Sequence, residues 1–155
     1  MEKISIAFDH RGEKLAKTIA KWLSDQGYMV NIGTSNPGDD YVDNALPVIT
    51  SVRNELCDYG ILICGTGVGM AIVANRFEGI FAVHARDEAE AHFAKVHENA
   101  NVLVFGAGYE NEIHSVKMTS TKAIKIVKSF LESRFEGGRH QRRIEKINEL
   151  NKGKK

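Results

Sequence analysis

Residues 59–69, Tyr59-Gly60-Ile61-Leu62-Ile63-Cys64-Gly65-Thr66-Gly67-Val68-Gly69, indicate the architecture of this chain more strongly than any other segment. The first six form an apolar run without alternation, which is typical of a strand covered on both faces. Three glycines follow in the next five positions, and Met70 to Asn75 then has helical character. A buried strand, a glycine turn and a helix in succession predict a parallel α/β sheet.

Short apolar runs alternate with helical patterns on both sides of this segment. The predicted strands are residues 4–8, 28–32, 59–64, 79–84 and 101–105. The predicted helices are residues 15–23, 45–56, 70–75 and 87–96, followed after Gly108 by a long helix whose buried face includes Val116, Ala123, Val127, Phe130 and Leu131. Pro47 is compatible with the second helix only in its first turn. This alternation predicts a parallel sheet with helices on both faces.

Length and charge restrict the class of protein. A chain of 155 residues suits one domain, and its formal net charge is +1. This balance argues against a protein whose whole surface binds polyanions, so no nucleic-acid partner is expected. No apolar run approaches the roughly 20 residues of a membrane span, so no membrane partner is expected either. Cys57 and Cys64 are too few for a disulfide scaffold, and we expect a cytoplasmic protein.

Residues 134–155 differ in composition from residues 1–133. They hold eight basic side chains against three acidic ones. A narrow apolar edge, suited to docking on the body or on a second subunit, is formed by Ile144, Ile147 and Leu150. Arg139 and Arg143 are four apart and share one helix face, which suits a phosphate; the alternative is a solvated basic helix end. We interpret 1–133 as the α/β domain and 134–155 as a basic segment and helix of the same domain.

The residues that follow the strands are the first candidates for a ligand site, because crevices in parallel sheets lie beyond the carboxyl ends of the strands. These candidates are Asp9 and His10, residues 64–69 and residues 106–108. The glycine loop allows close approach of an anionic oxygen to backbone N–H groups, as in a phosphate site or an oxyanion hole; a tight turn without ligand is the alternative. Met70 stands where a dinucleotide motif has its third glycine, which weakens that reading.

Four side chains carry candidate chemistry near these turns. Cys64 precedes the glycine loop, where a thiolate can act as a base or a nucleophile; a small buried hydrophobic role is the alternative. Asp9 beside His10 can orient a hydroxyl or bind a phosphate, or can cap the loop locally. His97, before the fifth strand, is a candidate for proton transfer or a solvated side chain. The histidines interpreted as structural are His84, His92 and His114.

Together these motifs resemble the B-type ribose-5-phosphate isomerases, in the superfamily that also contains the two-subunit galactose-6-phosphate isomerases. The matching residues are Phe8-Asp9-His10 with Gly12, residues 61–70 with Ala74-Asn75, His97 with residues 99–103, Phe105-Gly106, and residues 135–141 with Arg143. The resemblance implies a Rossmann-like three-layer fold with a mainly parallel five-stranded sheet. It also implies isomerisation of ribose 5-phosphate and ribulose 5-phosphate, without metal or cofactor, in a homodimer or homotetramer with the active site at the subunit interface.

The resemblance assigns a role to each matching position. Cys64 is the base that moves a proton between C1 and C2, His97 opens the furanose ring, and Thr66 helps to hold the enediolate. The implied substrate-binding residues are Asp9, His10, Gly65, Thr66, Gly67, Val68, Gly69, Asn99, Arg139 and Arg143. Asp9 also counts among the implied catalytic residues, because it positions sugar hydroxyls. Proton removal beside a carbonyl needs a base and nearby oxyanion donors, so this assignment is chemically coherent.

Several positions depart from the family pattern and bear on the substrate. Glu98 replaces a usual asparagine, and Gly108 replaces a usual arginine that binds phosphate. Further departures are Val42, Phe81 and Lys95, and Arg86 is a candidate to compensate. The main alternative is therefore an isomerase of another phosphorylated sugar, such as a tetrose or hexose phosphate. A non-catalytic phosphate- or nucleotide-binding module and a cysteine hydrolase that pairs Cys64 with His97 are weaker alternatives.

Overall fold

The structure is a computed structural model that describes residues 1–152, so the end of the basic segment, residues 153–155, lies outside the described residues. Its strands are β1 (Lys3–Phe8), β2 (Met29–Ile32), β3 (Tyr59–Cys64), β4 (Ala82–His84), β5 (Val102–Gly106), β6 (Gly108–Glu110) and β7 (Ser115–Lys117). Its helices are α1 (Glu13–Asp25), α2 (Tyr41–Arg53), α3 (Val68–Ala74), α4 (Glu88–Val96), α5 (Ser120–Glu132) and α6 (Arg139–Glu149).

Five strands form one parallel sheet in the order β2-β1-β3-β5-β4. The central strand β3 pairs with β1 on one side and with β5 on the other. Its residues 61–63 are fully buried, which accounts for the absence of alternation in this run. The predicted α/β fold with a parallel five-stranded sheet is confirmed.

Helices cover both faces of this sheet. Ile61 and Ile63 point to the face covered by α1, α4 and α5, where the larger part of the core lies. Leu62 and Cys64 point to the other face, which α2 and α3 cover. The alternation of side chains along β3 therefore places the Cys64 sulfur on the side of α3, the helix that follows the glycine loop.

The segment after β5 differs from the prediction. The long helix predicted after Gly108 is preceded by an antiparallel hairpin of β6 and β7, and α5 begins only at Ser120. Val116 lies on β7 and is 38% exposed, so its placement on the buried face of that helix was wrong. The Asn111 side chain accepts N–H groups at the hairpin tip, and Thr119 caps α5 by accepting the N–H of Lys122. These local hydrogen bonds stop the helix from extending backwards.

Helix α2 also starts earlier than predicted, at Tyr41 rather than Ala45. Asp40 and Asp43 form a capping box, in which each side chain accepts the backbone N–H of the other residue. Pro47 consequently lies inside the helix instead of in its first turn, which corrects the prediction. Its ring is exposed, and the helix loses one backbone hydrogen bond at this position.

Helix α6 is attached to the body through its first half. His140 and Ile144 are buried, whereas Ile147 and Leu150, which were expected to complete an apolar edge, are 41% and 68% exposed. The turn before α6 is held to α4, because the Glu136 N–H donates to the Val96 carbonyl over 3.1 Å. Within residues 1–152, no helix has both the length and the apolar character that crossing a bilayer demands.

Candidate active site

The glycine loop connects β3 to α3 through a tightly packed turn. Gly67 adopts the left-handed backbone conformation, with a φ of +85°. A Cβ at this position would lie 2.7 Å from Nε2 of His84 and 2.8 Å from the carbonyl carbon of Phe105. At Gly69 a Cβ would lie 2.7 Å from the ring of Tyr41. The loop therefore leaves no space for larger residues, which keeps its backbone N–H groups close to the end of β3.

Cys64 is the last residue of β3 and is 4% exposed. The backbone N–H of Gly67 donates to its Sγ at 3.2 Å, and a donor pointing at sulfur stabilises negative charge there. The N–H of Val68 donates to Oγ1 of Thr66 at 3.3 Å. The structure thus gathers the predicted base, the threonine hydroxyl and backbone donors in one turn.

Asp9 is held beside this turn, because its backbone N–H donates to the Ile63 carbonyl over 3.1 Å. Its carboxylate accepts the N–H groups of Arg11 at 2.9 Å and Gly12 at 3.2 Å. These bonds fix the carboxylate orientation at the carboxyl edge of the sheet. His10 is exposed at the same edge. The two sequence candidates after β1 therefore lie next to the glycine loop.

Four residues near the loop were not recognised as site candidates in the sequence. His84 and Tyr41 contact the loop at Gly67 and Gly69, as described above. The Arg11 guanidinium lies over the Tyr109 ring, 4.6 Å from its centroid, and the Arg11 stem packs beside Gly65. No local motif identifies them, since they come from four separate elements or turns. Arg11 follows β1 and His84 ends β4, so their place at the carboxyl edge of the sheet was the available signal for these two residues.

His97 lies elsewhere, at the carboxyl end of α4. Its ring stacks on that of His140 with centroids 4.2 Å apart and planes 13° apart. Burial, together with the neighbouring His97, lowers the pKa of His140. Arg139 and Arg143 are exposed on α6, and Asn99 adopts a positive φ of +49° just after His97. These residues form a second group, which we call the α4–α6 cluster.

The α4–α6 cluster and the glycine loop lie at opposite edges of the sheet. Helix α4 starts after the carboxyl end of β4 and runs back, so His97 comes close to Asn101. Asn101 is at the amino edge, where it exchanges backbone hydrogen bonds with Gly60 and Phe81. Gly60 lies near the start of β3 and Cys64 is its last residue, and the ends of a six-residue strand are about 17 Å apart. One chain therefore does not bring Cys64 and His97 together.

Cavities occur at both edges. A cavity of about 750 Å³ lies at the amino edge and includes Cys57, Asp58 and Asn101 but no residue of the glycine loop. A smaller cavity of about 240 Å³ adjoins the loop at Thr66. It is also lined by His84, Gly106, Lys117 and Lys122. Cys64 itself does not line this smaller cavity, but the basic side chains of the cavity suit an anionic ligand beside the glycine loop.

Arg86, the candidate to compensate for Gly108, also lines the smaller cavity. Its guanidinium is paired with the carboxylate of Glu90 at 2.7 Å. This pairing raises the pKa of Arg86 and lowers that of Glu90. The positive charge of Arg86 is thus partly neutralised at the cavity wall, whereas Arg11 has no carboxylate partner among the described residues.

The sequence and the fold of this chain both match those of known proteins. The model of the family described as Ribose/Galactose Isomerase matches residues 4–147 of this chain. The chain belongs to the ribose/galactose isomerase family.

Relatives within the ribose/galactose isomerase family match over nearly the whole chain. A probable ribose-5-phosphate isomerase B from Mycoplasma genitalium is 43% identical, covering 93% of this chain and 92% of that protein. Ribose-5-phosphate isomerase B from Escherichia coli is 39% identical, with 95% of each chain covered. The M. genitalium ribose-5-phosphate isomerase B crystal structure with bound ribulose 5-phosphate aligns with a TM-score of 0.86 at 41% identity, covering 97% of each chain.

The half-buried His84 beside the loop predicts acid sensitivity. Burial, and secondarily Arg86, lower the pKa of His84 from 6.5, so the unfolded chain takes up this proton more readily than the folded one. The free energy of unfolding is therefore highest above about pH 6.5 and falls as the pH drops through the lower, folded-state pKa. Urea unfolding between pH 7 and pH 5 should show a shallower decline for His84→Gln than for the wild type.

His114→Gln is the matched control, because His114 is exposed in the hairpin. Its pH dependence should follow the wild type. A His84→Gln profile parallel to the wild type would show that protonation of this imidazole does not contribute to the acid sensitivity.

Proposed function

We propose that this member of the ribose/galactose isomerase family interconverts ribose 5-phosphate and ribulose 5-phosphate through an enediolate. The observation that carries the proposal is the 3.2 Å hydrogen bond from the Gly67 N–H to Sγ of Cys64 at the start of the glycine loop. It places a sulfur base and backbone donors together, as removal of a proton beside a carbonyl requires. Relatives at about 40% identity over more than nine-tenths of the chain support the same reaction.

In the proposed mechanism the Cys64 thiolate removes the proton on C2 of the open-chain aldose. The electron pair moves to form the C1–C2 double bond, and negative charge accumulates on the C1 oxygen. Backbone N–H groups of residues 65–69 and the Thr66 hydroxyl stabilise that oxyanion. The thiol then returns the proton to C1, which gives the ketose after the C2 hydroxyl proton is passed to the C1 oxygen. Asp9 positions the sugar hydroxyls.

A substrate panel tests the proposal. Ribose 5-phosphate should have a higher kcat/KM than a tetrose phosphate or galactose 6-phosphate, and inorganic phosphate should compete. Glu98 and Gly108 are the specific observations that favour a second candidate, an isomerase of another phosphorylated sugar. Preferential turnover of a tetrose or hexose phosphate would select that candidate. Tight phosphate binding without turnover of any sugar would contradict both.

We infer in addition that a complete active site combines two copies of the chain. The α4–α6 cluster supplies His97 for ring opening, Asn99 for substrate contact, and Arg139 and Arg143 for the phosphate. This inference is supported by their position at the edge of the sheet opposite to Cys64. The basic segment 134–155 then contacts the partner subunit in a homodimer or homotetramer, and its exposed arginines remain available for the phosphate of the other copy.

Subunit complementation checks the shared site. Cys64→Ala and His97→Asn should each be inactive alone, because each removes a different half of the proposed machinery. When the two variants are co-expressed at equal amounts, random pairing makes half of the dimers mixed. Each mixed dimer has one intact site out of two, so about a quarter of the wild-type activity should return. Activity that stays at the level of the single variants would overturn the shared-site arrangement, but not the isomerase assignment.

A cytoplasmic location is part of the proposal. Both cysteines are free thiols in the structure, which suits a reducing compartment. Sugar phosphates are intracellular metabolites by their charge, since a phosphate does not cross an apolar bilayer. Fractionation of cells that produce the full-length protein checks the location.

A further inference from the structure

We propose that His97, Glu136 and His140 bind Zn²⁺ and that the bound ion inhibits the isomerase. The three side chains bring one potential ligand atom each to within 4.8 Å of one another. Two imidazole nitrogens and one carboxylate oxygen are an established zinc donor set, which leaves a fourth position for water. The proposed reaction uses neither Glu136 nor His140, so their juxtaposition with His97 has no explanation in the isomerisation itself.

Backbone hydrogen bonds hold the two segments that carry these ligands together before any ion binds. The Glu136 N–H donates to the Val96 carbonyl over 3.1 Å, and Val96 immediately precedes His97. The His140 N–H donates to the Gly137 carbonyl over 3.1 Å, which fixes the turn between Glu136 and His140. Two segments distant in sequence are thus fastened together at the cluster. Because the backbone segments are already assembled, ion binding costs only the reorientation of side chains and loses less conformational entropy.

The Nε2 atom of His140 is the second observation that points to a ligand. His140 is only 4% exposed, and among the described residues Nε2 has no hydrogen-bond partner. The Glu136 Oε2 atom lies 3.4 Å away without hydrogen-bond alignment. Tetrahedral coordination with bonds of about 2.1 Å separates ligand atoms by about 3.4 Å. The spacing of these two atoms therefore fits a shared metal ion, which would also satisfy the buried nitrogen.

The chemistry of the donors selects the type of ion. Imidazole nitrogen is preferred by Zn²⁺ and related transition metals, whereas Mg²⁺ and Ca²⁺ prefer all-oxygen sites. Arg139 and Arg143 make this end of α6 positively charged. The Glu136 carboxylate is therefore the group in the cluster that attracts a cation. Replacing it with a neutral glutamine is the most direct test of the metal site.

Inhibition follows from the ring geometry. The His97 and His140 rings are nearly parallel, at 13°, so their nitrogen lone pairs do not converge on one point as they stand. Coordination of one ion by both rings requires His97 to turn out of the stack. The ion then occupies the nitrogen of His97 that the proposed ring opening needs. This inhibitory part depends on the proposed function, whereas metal binding itself does not.

Calorimetric titration of the metal-free full-length protein with Zn²⁺ tests the site. We expect one ion per chain, and an affinity weakened about tenfold or more by Glu136→Gln and by His140→Gln. Glu149→Gln, an exposed carboxylate further along α6, should bind as the wild type does. Cys64→Ser should also retain wild-type affinity, which separates this site from thiol binding. Equal affinity in the wild type, Glu136→Gln and His140→Gln would overturn the site.

Activity measurements test the inhibition separately. Zn²⁺ should lower ribose 5-phosphate turnover of the wild type, and a chelator should restore it. Glu136→Gln should keep its metal-free activity and need about tenfold more Zn²⁺ for half inhibition. Zinc binding without inhibition would overturn the regulatory half of the proposal. If the wild type turned over no sugar phosphate, the proposed function would fail, while the calorimetric titration would still decide the metal site.

Discussion

Cys64→Ser is expected to lower ribose 5-phosphate turnover by about a hundredfold to ten-thousandfold, the usual contribution of a positioned general base. A serine hydroxyl is a far weaker acid than a thiol, so it does not provide an anionic base near neutral pH. The serine oxygen can still accept the Gly67 N–H that now points at Sγ, so the loop keeps its hydrogen bond. Steady-state kinetics of the purified variant measure the effect.

Cys57→Ser is the matched control for the thiol. Cys57 lies before β3, at the amino edge of the sheet, and burial raises the pKa of its thiol. Because it is remote from the glycine loop, its replacement should leave kcat and KM unchanged. Near-normal turnover by a folded Cys64→Ser variant, verified by circular dichroism, would refute the assignment of Cys64 as the base.

Gly67→Ala is expected to lower the free energy of unfolding by about 2–5 kcal/mol. This loss is the sum of the strain of a left-handed backbone conformation and the cost of overpacking. The φ of +85° disfavours any L side chain. The added methyl would also meet His84 at 2.7 Å and the Phe105 backbone at 2.8 Å, and the backbone of β5 cannot move aside without breaking sheet pairing. Urea unfolding measures the loss, and kcat should fall because the donors of the loop are displaced.

Gly79→Ala separates the two causes. Gly79 has nearly the same φ, +83°, but no atom lies within 4 Å of the position of a Cβ. Its replacement should cost only about 1 kcal/mol, from backbone strain alone, and should leave turnover intact. Equal destabilisation by the two substitutions would mean that the contacts of Gly67 with His84 and Phe105 contribute nothing.

The local pattern of residues 59–69 was sufficient to predict a covered central strand, a glycine turn and a helix in a parallel sheet. The ends of the predicted strands 4–8 and 59–64 placed Asp9 and Cys64 at the same edge, because the strand ends of a parallel sheet share one edge. The helix boundaries were predicted wrongly where side-chain hydrogen bonds within a turn decide the local structure instead of the periodicity of apolar residues. The Asp40 capping box moved the start of α2, and the Asn111 turn replaced a helical segment with a hairpin.

The relation between distant segments was not encoded in any local pattern. The length of α4 carries His97 to the amino edge, and the contact of Glu136 with Val96 then brings His140 beneath it. The motifs assign Cys64 and His97 to one active site, yet the folded monomer separates the two residues by about the length of β3. Periodicity and turn chemistry act over a few residues, whereas these placements come from helix length and packing between elements far apart in sequence.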